Sequence, residues 1–337
     1  MGHIFYTAVD AVLPMILLIL LGIFLRKKSF LSDGFLSTGN KLVFRWGLPC
    51  MLFVNVYSIR SLEQIPWDLI AYAVAAILVI FFLGLLTSVW TTPVPQRRGV
   101  ILQCCFRSNS AIIGLTLAAA LGGWEAETVA ACVTAVTIPL FNVLAVISLS
   151  MFGKGNQRPS AKHILSDIIK NPLIHGVFLG IACLMLRMSQ TILWGAPVFT
   201  LQEDLAPLYT ALTWIKSLTT PLSLLVLGGQ FVFSAVKDLK KEIFVATLWR
   251  VVLAPLIGIG GAVVLAKLGW IHCGTMEFPA LVGLFASPVA VSSAIMASQM
   301  GNDEQLATQL VVWTTICSAF TVFATVCILM AMNLLNV

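Results

Sequence analysis

The feature that most constrains this chain is a series of ten apolar runs joined by connections too short to bury a soluble core. Each run is close to the roughly 20 residues that a helix needs to cross the hydrocarbon core of a bilayer. In hydrocarbon the backbone polar groups must be satisfied within the segment, so such runs fold as helices. We therefore predict an all-α membrane protein with ten transmembrane helices. Runs 1 to 10 cover residues 5–25, 40–58, 67–90, 99–121, 128–151, 172–188, 208–233, 244–268, 278–299 and 306–335.

Composition agrees with a membrane location and argues against several function classes. The chain is 59% hydrophobic and only 10% charged, whereas soluble domains have about 25% charged residues. The basic residues are spread over short connections, which indicates a lipid bilayer and no nucleic-acid partner. The eight cysteines lie mostly inside apolar runs without a CxxC pair, so we expect neither a metal site nor a cofactor. No nucleophile–base pair or HExxH motif is visible, and we do not expect an enzyme.

Loop charges predict the orientation in the membrane. The connections after the even-numbered runs, with their borders, hold only Arg60, Arg187 and Lys267. Connections rich in Lys and Arg stay on the cytoplasmic side. We therefore predict a multi-pass protein of the inner (plasma) membrane with both termini outside. The connections after runs 1, 3, 5 and 7 hold twelve of the 20 basic residues, namely Arg26, Lys27, Lys28, Arg97, Arg98, Lys154, Arg158, Lys162, Lys170, Lys237, Lys240 and Lys241.

The longest basic connection, 153–171, divides the chain into two sets of five runs, 1–152 and 172–337. An odd number of spans in each half makes the halves enter the membrane from opposite sides, so a shared fold would be an inverted repeat. A weak internal echo supports this arrangement. GLPCMLF after Trp46 in run 2 matches TTPLSLL around Pro221 in run 7. Runs 4 and 9 then occupy equivalent positions.

Runs 4 and 9 are both interrupted near their centres. Run 9 carries Pro288, and proline removes an amide donor and clashes with the preceding turn. Run 4 carries the polar cluster 107–110 at its centre. A break within the bilayer survives only where it is buried in protein or lines a wet cavity. Two hydrophobic runs interrupted at matching depth are typical of the binding site of a secondary transporter.

Such breaks favour an anion. If both runs break at mid-depth, the second half-helices, starting near Ser110 and Val289, point their positive N-terminal ends inward. Arg107 adds a planar guanidinium that suits a carboxylate. The alternative is that Arg107 pairs with Asp10 or with a backbone carbonyl. The opposing carbonyl ends could hold a cation, so a coupling ion stays an open alternative.

Other charged residues inside the runs carry less weight. Lys41, Arg45, Lys216 and Arg250 are expected to extend toward the lipid headgroups. Attraction of an anion to the vestibule by Lys41 and Arg45, which lie four apart on one helical face, stays an open alternative. The candidate substrate-binding residues are therefore those of the two interruptions. They are Arg107, Ser108, Asn109, Ser110, Gly114, Ser287, Pro288 and Ser292.

Several motifs resemble the auxin efflux carrier family over nearly the whole chain. They are KLVFRWGLPCMLF in run 2, RSNSAIIGL in run 4, NPLIHGVFLGI in run 6, TTPLSLLVLGGQF in run 7, and ASPVAVSSAIMASQMGNDEQLATQLVVWTTICSAFTV across runs 9 and 10. The resemblance implies an inverted 5+5 fold shared with the bile-acid sodium symporters, in which broken helices 4 and 9 cross beside the substrate. It also implies transport of small organic anions, since bacterial-type members look like permeases for malate and malonate.

Two positions carry the family pattern and one departs from it. The crossover asparagine of the family corresponds to Asn109, and the proline of the ninth span corresponds to Pro288. Family members usually have a proline two residues after the glycine of span 4, where this chain has Thr116 after Gly114. We therefore expect a gentler break in run 4 than the family pattern implies.

Together these observations predict a carrier, secondary active or facilitative, that moves a small mono- or dicarboxylate by alternating access. Runs 4 and 9 with their partners would form the moving unit. Runs 1, 2, 6 and 7 would form a scaffold, with a homodimer contact as an open alternative. Two other functions stay open: a sodium- or proton-coupled symporter for another solute, and a membrane sensor that transports nothing.

Overall fold

The computed structural model describes residues 2–58, 66–153, 169–231 and 235–335. Arg60 and most of the basic connection 153–171 lie outside these residues. The described part is helical, and its only β-type pairing is an isolated bridge. The helices are α1 Gly2–Lys27, α2 Asp33–Leu42, α3 Leu48–Tyr57, α4 Trp67–Thr91, α5 Pro95–Phe106, α6 Leu115–Phe152, α7 Pro172–Trp194, α8 Ala206–Gln230, α9 Ala235–Asp238, α10 Lys240–Leu248, α11 Gly261–Lys267, α12 Glu277–Phe285, α13 Ser292–Gln299 and α14 Glu304–Ala331.

Short π-helical turns continue several of these helices, at Val43–Gly47, Ser110–Gly114, Trp249–Leu253 and Leu256–Gly260. Helix α6 turns a corner near its start, because Gly123 has φ +69°, a conformation that glycine adopts without the steric cost of a Cβ. The helix therefore contains both the end of run 4 and all of run 5. Among the described residues, six helices are long and apolar enough to cross a membrane, and the protein is a multi-pass membrane protein. They are Trp67–Thr91, Leu117–Phe152, Pro172–Trp194, Ala206–Gln230, Lys240–Lys267 and Glu304–Ala331.

Polar caps fix the starts of three helices. The first turn of a helix leaves amide donors without a partner, and a side-chain oxygen at the N-cap accepts one of them. Ser32 caps α2, Asn171 caps α7 and Asp303 caps α14. Helices α7 and α14 begin within two residues of the predicted starts of runs 6 and 10, whereas α2 begins at Asp33, seven residues before the predicted start of run 2 at residue 40.

Helices α1, α3, α7 and α8 pack together and are called here the four-helix group. Their crossings are close because glycine allows backbone to meet backbone. A Cβ on Gly228 of α8 would lie 2.1 Å from the carbonyl oxygen of Ile19 in α1. A Cβ on Gly176 of α7 would lie 2.5 Å from the carbonyl oxygen of Pro49 in α3. In both pairs, α1 with α8 and α7 with α3, backbone therefore meets backbone at a glycine.

The interrupted runs lie in a second set, helices α4, α5, α6 and α10 to α14, called here the crossover group. Its apolar packing includes Phe106, whose ring centroid lies 5.4 Å from that of Phe81 and 6.2 Å from that of Phe141. At one end of the group, Arg97 Nη1 donates to Glu242 at 2.9 Å and Arg97 Nε donates to Asp303 at 3.1 Å. The side chain of Arg97 thus joins the starts of α5, α10 and α14.

Candidate functional site

Both predicted interruptions are full breaks in the helix. Helix α5 ends at Phe106, and Arg107 adopts an extended backbone with φ −85° and ψ 108°. A π-helical turn starts at Ser110 and continues into α6. In the other run, α12 ends at Phe285 and α13 begins at Ser292. The absence of the family proline near Thr116 therefore does not make the break in run 4 a gentle one.

The two breaks pair with each other through the backbone. The Asn109 amide donates to the Pro288 carbonyl at 2.8 Å, and the Ala290 amide donates to the Arg107 carbonyl at 3.4 Å. Ser108 thereby faces Val289 in an antiparallel bridge. Because buried amides and carbonyls need partners, each break supplies the groups that the other has lost. The pairing explains why run 4 can break without a proline of its own.

The same pairing moves the start of the second half-helix in run 9. The sequence predicts that it begins near Val289, but that residue is held in the bridge and its amide donates to Thr314 Oγ1 of α14 at 3.2 Å. Helix α13 therefore begins three residues later, at Ser292.

Two glycines allow the interrupted runs to cross in direct contact. A Cβ on Gly114 would lie 2.6 Å from the carbonyl oxygen of Gly283, and a Cβ on Gly283 would lie 2.4 Å from that of Gly114. Neither distance is compatible with a side chain at these positions. The predicted site residue Gly114 is therefore the contact point between the second half of run 4 and the first half of run 9.

Arg107 lies within this crossing, and its side chain is held by neutral groups. Nη2 donates to Asn142 Oδ1 and to Ser292 Oγ, both at 2.9 Å. With its amide oxygen turned toward the guanidinium, Gln103 accepts from Nη1 at 3.0 Å. Within the described part of the chain, Arg107 makes no ion pair with a carboxylate. The side chain of Asp10, the predicted alternative partner, lies outside the described residues.

The remaining predicted residues also meet at the crossing. Asn109 and Pro288 form the backbone pairing, and Ser292 is a partner of Arg107. The hydroxyls of Ser108, Ser110 and Ser287 are buried without a hydrogen-bond partner among the residues described. Unpaired buried hydroxyls are costly unless something accepts or donates a hydrogen bond there. The crossing thus combines a buried cation with three available hydroxyls.

Comparison with known proteins gives the family. A family model described as membrane transport protein matches residues 7–326. The chain belongs to this family, the auxin efflux carriers. It is also 23% identical over 322 residues to an uncharacterized transporter of Methanothermobacter thermautotrophicus, which covers 94% of this chain and 96% of that relative. The resemblance found in the sequence is confirmed, and the protein is a membrane transporter.

One expectation about the transporter is wrong. Arg250 does not extend to the lipid headgroups, because its side chain is 1% exposed and lies at the crossing. Nη1 donates to the carbonyl of Cys105 at 3.3 Å, and Nη2 donates to those of Leu284, at 3.5 Å, and Phe285. Arg250 stands on the π-helical turn Trp249–Leu253, well inside run 8. The available sequence signal was the position of Arg250 inside an apolar run, because a cation at such a depth needs a partner within the protein.

Sequence reasoning also missed four supporting residues, one of which is Gln103, the acceptor of Arg107 Nη1. Asn142 lies inside run 5, is 1% exposed, and orients its amide by donating to the Ile138 carbonyl at 2.9 Å. Thr314 holds the bridge, and Gly283 completes the glycine contact. Polar residues in the middle of apolar runs, such as Asn142 and Thr314, were the available signal.

A polar cleft separates the four-helix group from the crossover group at one end of the transporter. Its volume is about 370 Å³, and it is lined by the end of α8 at Gln230, the end of α13 at Ser298 and the start of α14 at Glu304. Asn40 of α2 also lines it, and the Oδ1 atom of this buried residue has no hydrogen-bond partner in the described part of the chain. Arg26 pairs with Asp33 at its edge, and Glu304 adds a second carboxylate, so the lining carries no net positive charge.

Proposed function

We propose that this transporter moves a small organic anion, a mono- or dicarboxylate such as malate or malonate, by alternating access. The observation that carries the proposal is the buried guanidinium of Arg107, held by neutral side chains at the point where two broken helices cross. A buried charge is costly unless it is paired, and a carboxylate would supply the missing negative charge. Guanidinium binds carboxylate through two parallel hydrogen bonds.

The surrounding groups suit the same ligand. The hydroxyls of Ser108, Ser110 and Ser287 can donate to further carboxylate or hydroxyl oxygens of the solute. The second half of run 4 begins at Ser110, and the positive N-terminal end of a helix favours a negative charge at the break.

We further infer ten spans arranged as an inverted repeat of 1–152 and 172–337. The crossing of α1 with α8 and that of α7 with α3 support this arrangement, because a twofold relation between the halves exchanges run 1 with run 6 and run 2 with run 7. The antiparallel pairing of the two breaks fits the same relation. In this arrangement the four-helix group is the scaffold and the crossover group carries the solute.

The polar cleft gives the route for one side. It lies where the predicted cytoplasmic ends of runs 1, 7 and 9 meet, between the two groups. Because the lining of the cleft carries no net positive charge, the cleft does not select anions, and Arg107 makes that selection. Closing this cleft and opening the opposite side would complete a transport cycle.

Thermal unfolding of the purified transporter with a panel of carboxylates tests the proposal, followed by uptake of the stabilising carboxylate into proteoliposomes. We expect Arg107→Gln to weaken binding by about 10- to 150-fold, the worth of a hydrogen bond to a charged group. Arg45→Gln removes an exposed arginine from run 2 and serves as the matched control.

Ser110→Ala separates binding from folding. Its hydroxyl has no partner among the described residues, so its removal should not lower the unfolding temperature of the solute-free protein. Binding should weaken by about 2- to 10-fold, the worth of one neutral hydrogen bond. Carboxylate binding and uptake that are unchanged in both Arg107→Gln and Ser110→Ala would refute the assigned site.

A further inference from the structure

The guanidinium of Arg250 joins the ends of two helices that stop inside the protein. Cys105 lies in the last turn of α5, and Leu284 and Phe285 form the end of α12. Their three carbonyls all accept from Arg250. Arg250 therefore caps the C-terminal ends of both first half-helices, immediately before each break.

The charge of this side chain matches its site. A helix C-terminus carries about half a negative charge and carbonyls without intrahelical partners. Two such ends brought together therefore present about one negative charge, and Arg250 supplies one positive charge. In carriers with interrupted helices, the coupling Na⁺ or H⁺ is coordinated by the C-terminal ends of half-helices and by backbone carbonyls of the unwound segments.

Arg250 has no other acceptor in the described part of the chain. The ion pairs found there involve Arg26, Arg97 and His272. The neighbouring Cys104 thiol donates to the Ala246 carbonyl at 3.6 Å and does not compete. The two terminal nitrogens are thus committed to the two helix ends, and Nε is buried without a partner among the described residues.

We propose that Arg250 is a resident cation that fills the place of a coupling ion at the crossing. The transporter then binds no Na⁺ or K⁺ at these carbonyls, and its solute moves at the same rate in sodium and in sodium-free medium. The inference concerns the ion and not the solute, so its main test does not depend on the proposed substrate.

The first test uses the unmodified transporter. Its thermal unfolding is measured at constant ionic strength in sodium, potassium and N-methyl-D-glucamine chloride. We expect one unfolding temperature in all three salts. A saturable rise in the unfolding temperature that is specific to Na⁺ or K⁺ would overturn the proposal.

The second test removes the resident charge. Arg250→Ala should lower the unfolding temperature, because it leaves two helix ends without their cation. Methylguanidinium at millimolar concentration should restore a large part of the loss in this variant and have no effect on Arg45→Ala, the exposed control. Arg250→Lys keeps a charge of the same sign, so its unfolding temperature should lie between those of the unmodified protein and of Arg250→Ala.

These arms also separate a charge role from simple packing. If Arg250→Ala loses stability that no small cation restores, Arg250 acts as a space-filling side chain and the proposal is wrong. If Arg250→Ala cannot be purified, Arg250→Lys and Arg250→Met decide the question. Equal unfolding temperatures for these two variants would contradict a role for the charge.

Discussion

Replacing Gly283 by alanine tests how tightly the two broken helices are held together. The new Cβ would lie 2.4 Å from the carbonyl oxygen of Gly114, and its other close neighbours are backbone atoms of the same residue. An ordinary contact is close to 3.4 Å, so the two segments must separate by about 1 Å in a closely packed interior. No side-chain rotation can relieve the clash, because backbone faces backbone.

The expected loss of unfolding free energy in Gly283→Ala has two contributions. Overpacking a closely packed interior costs about 1–3 kcal/mol. A separation of the same size at the adjoining bridge would lengthen the bond from the Asn109 amide to the Pro288 carbonyl, now 2.8 Å, beyond hydrogen-bonding distance. That bond contributes about 0.5–1.5 kcal/mol. We therefore expect Gly283→Ala to lower the free energy of unfolding by about 2–4 kcal/mol.

Equilibrium unfolding in mixed SDS–detergent micelles measures this free energy. Gly34→Ala is the control, because a Cβ there meets nothing closer than 3.8 Å. The double variant Gly114→Ala/Gly283→Ala should lose less unfolding free energy than the two single variants together, because one separation of the two segments accommodates both side chains. A free energy of unfolding for Gly283→Ala within about 0.5 kcal/mol of the unmodified protein would refute the tight crossing.

Two further predictions concern the polar groups that support the crossing. Thr314→Val should lower the free energy of unfolding by about 1–3 kcal/mol, because the buried Val289 amide loses its acceptor. Thr321→Val in the same helix should have little effect, since its hydroxyl bonds only to carbonyls of its own helix. Asp303→Ala should cost about 1 kcal/mol more than Asp303→Asn, because asparagine keeps the cap on the Leu306 amide and both variants lose the charge. Comparable losses in the two Asp303 variants would contradict a capping role.

The parts of the site that depend on single residues could be predicted from the sequence. Proline lacks an amide wherever it stands, so Pro288 indicated the break in run 9. A cluster of polar side chains in an apolar run is costly unless it is sheltered, so Arg107 and its neighbours indicated the break in run 4. The structure brings all the predicted site residues to one crossing.

The parts that depend on distant pairing could not be predicted. Arg250 is separated by 145 residues from Cys105 and by 35 from Phe285, so no local pattern indicates their contact. The sharpness of the break in run 4 and the delayed start of α13 have the same origin, because both follow from the backbone pairing of Ser108 with Val289. Run boundaries alone also did not reveal the corner at Gly123, which lies within a helix that contains the end of run 4 and all of run 5.

The side chain of Arg97 has a consequence for motion. A single guanidinium, on α5, binds carboxylates at the starts of α10 and α14. If one of these three helices slid past the others, at least one ion pair would break. We therefore expect α5, α10 and α14 to move together as one rigid body. If the proposed alternating-access cycle operates, spin labels on α10 and α14 should keep their mutual distance through it, while the distance from either label to α8 changes.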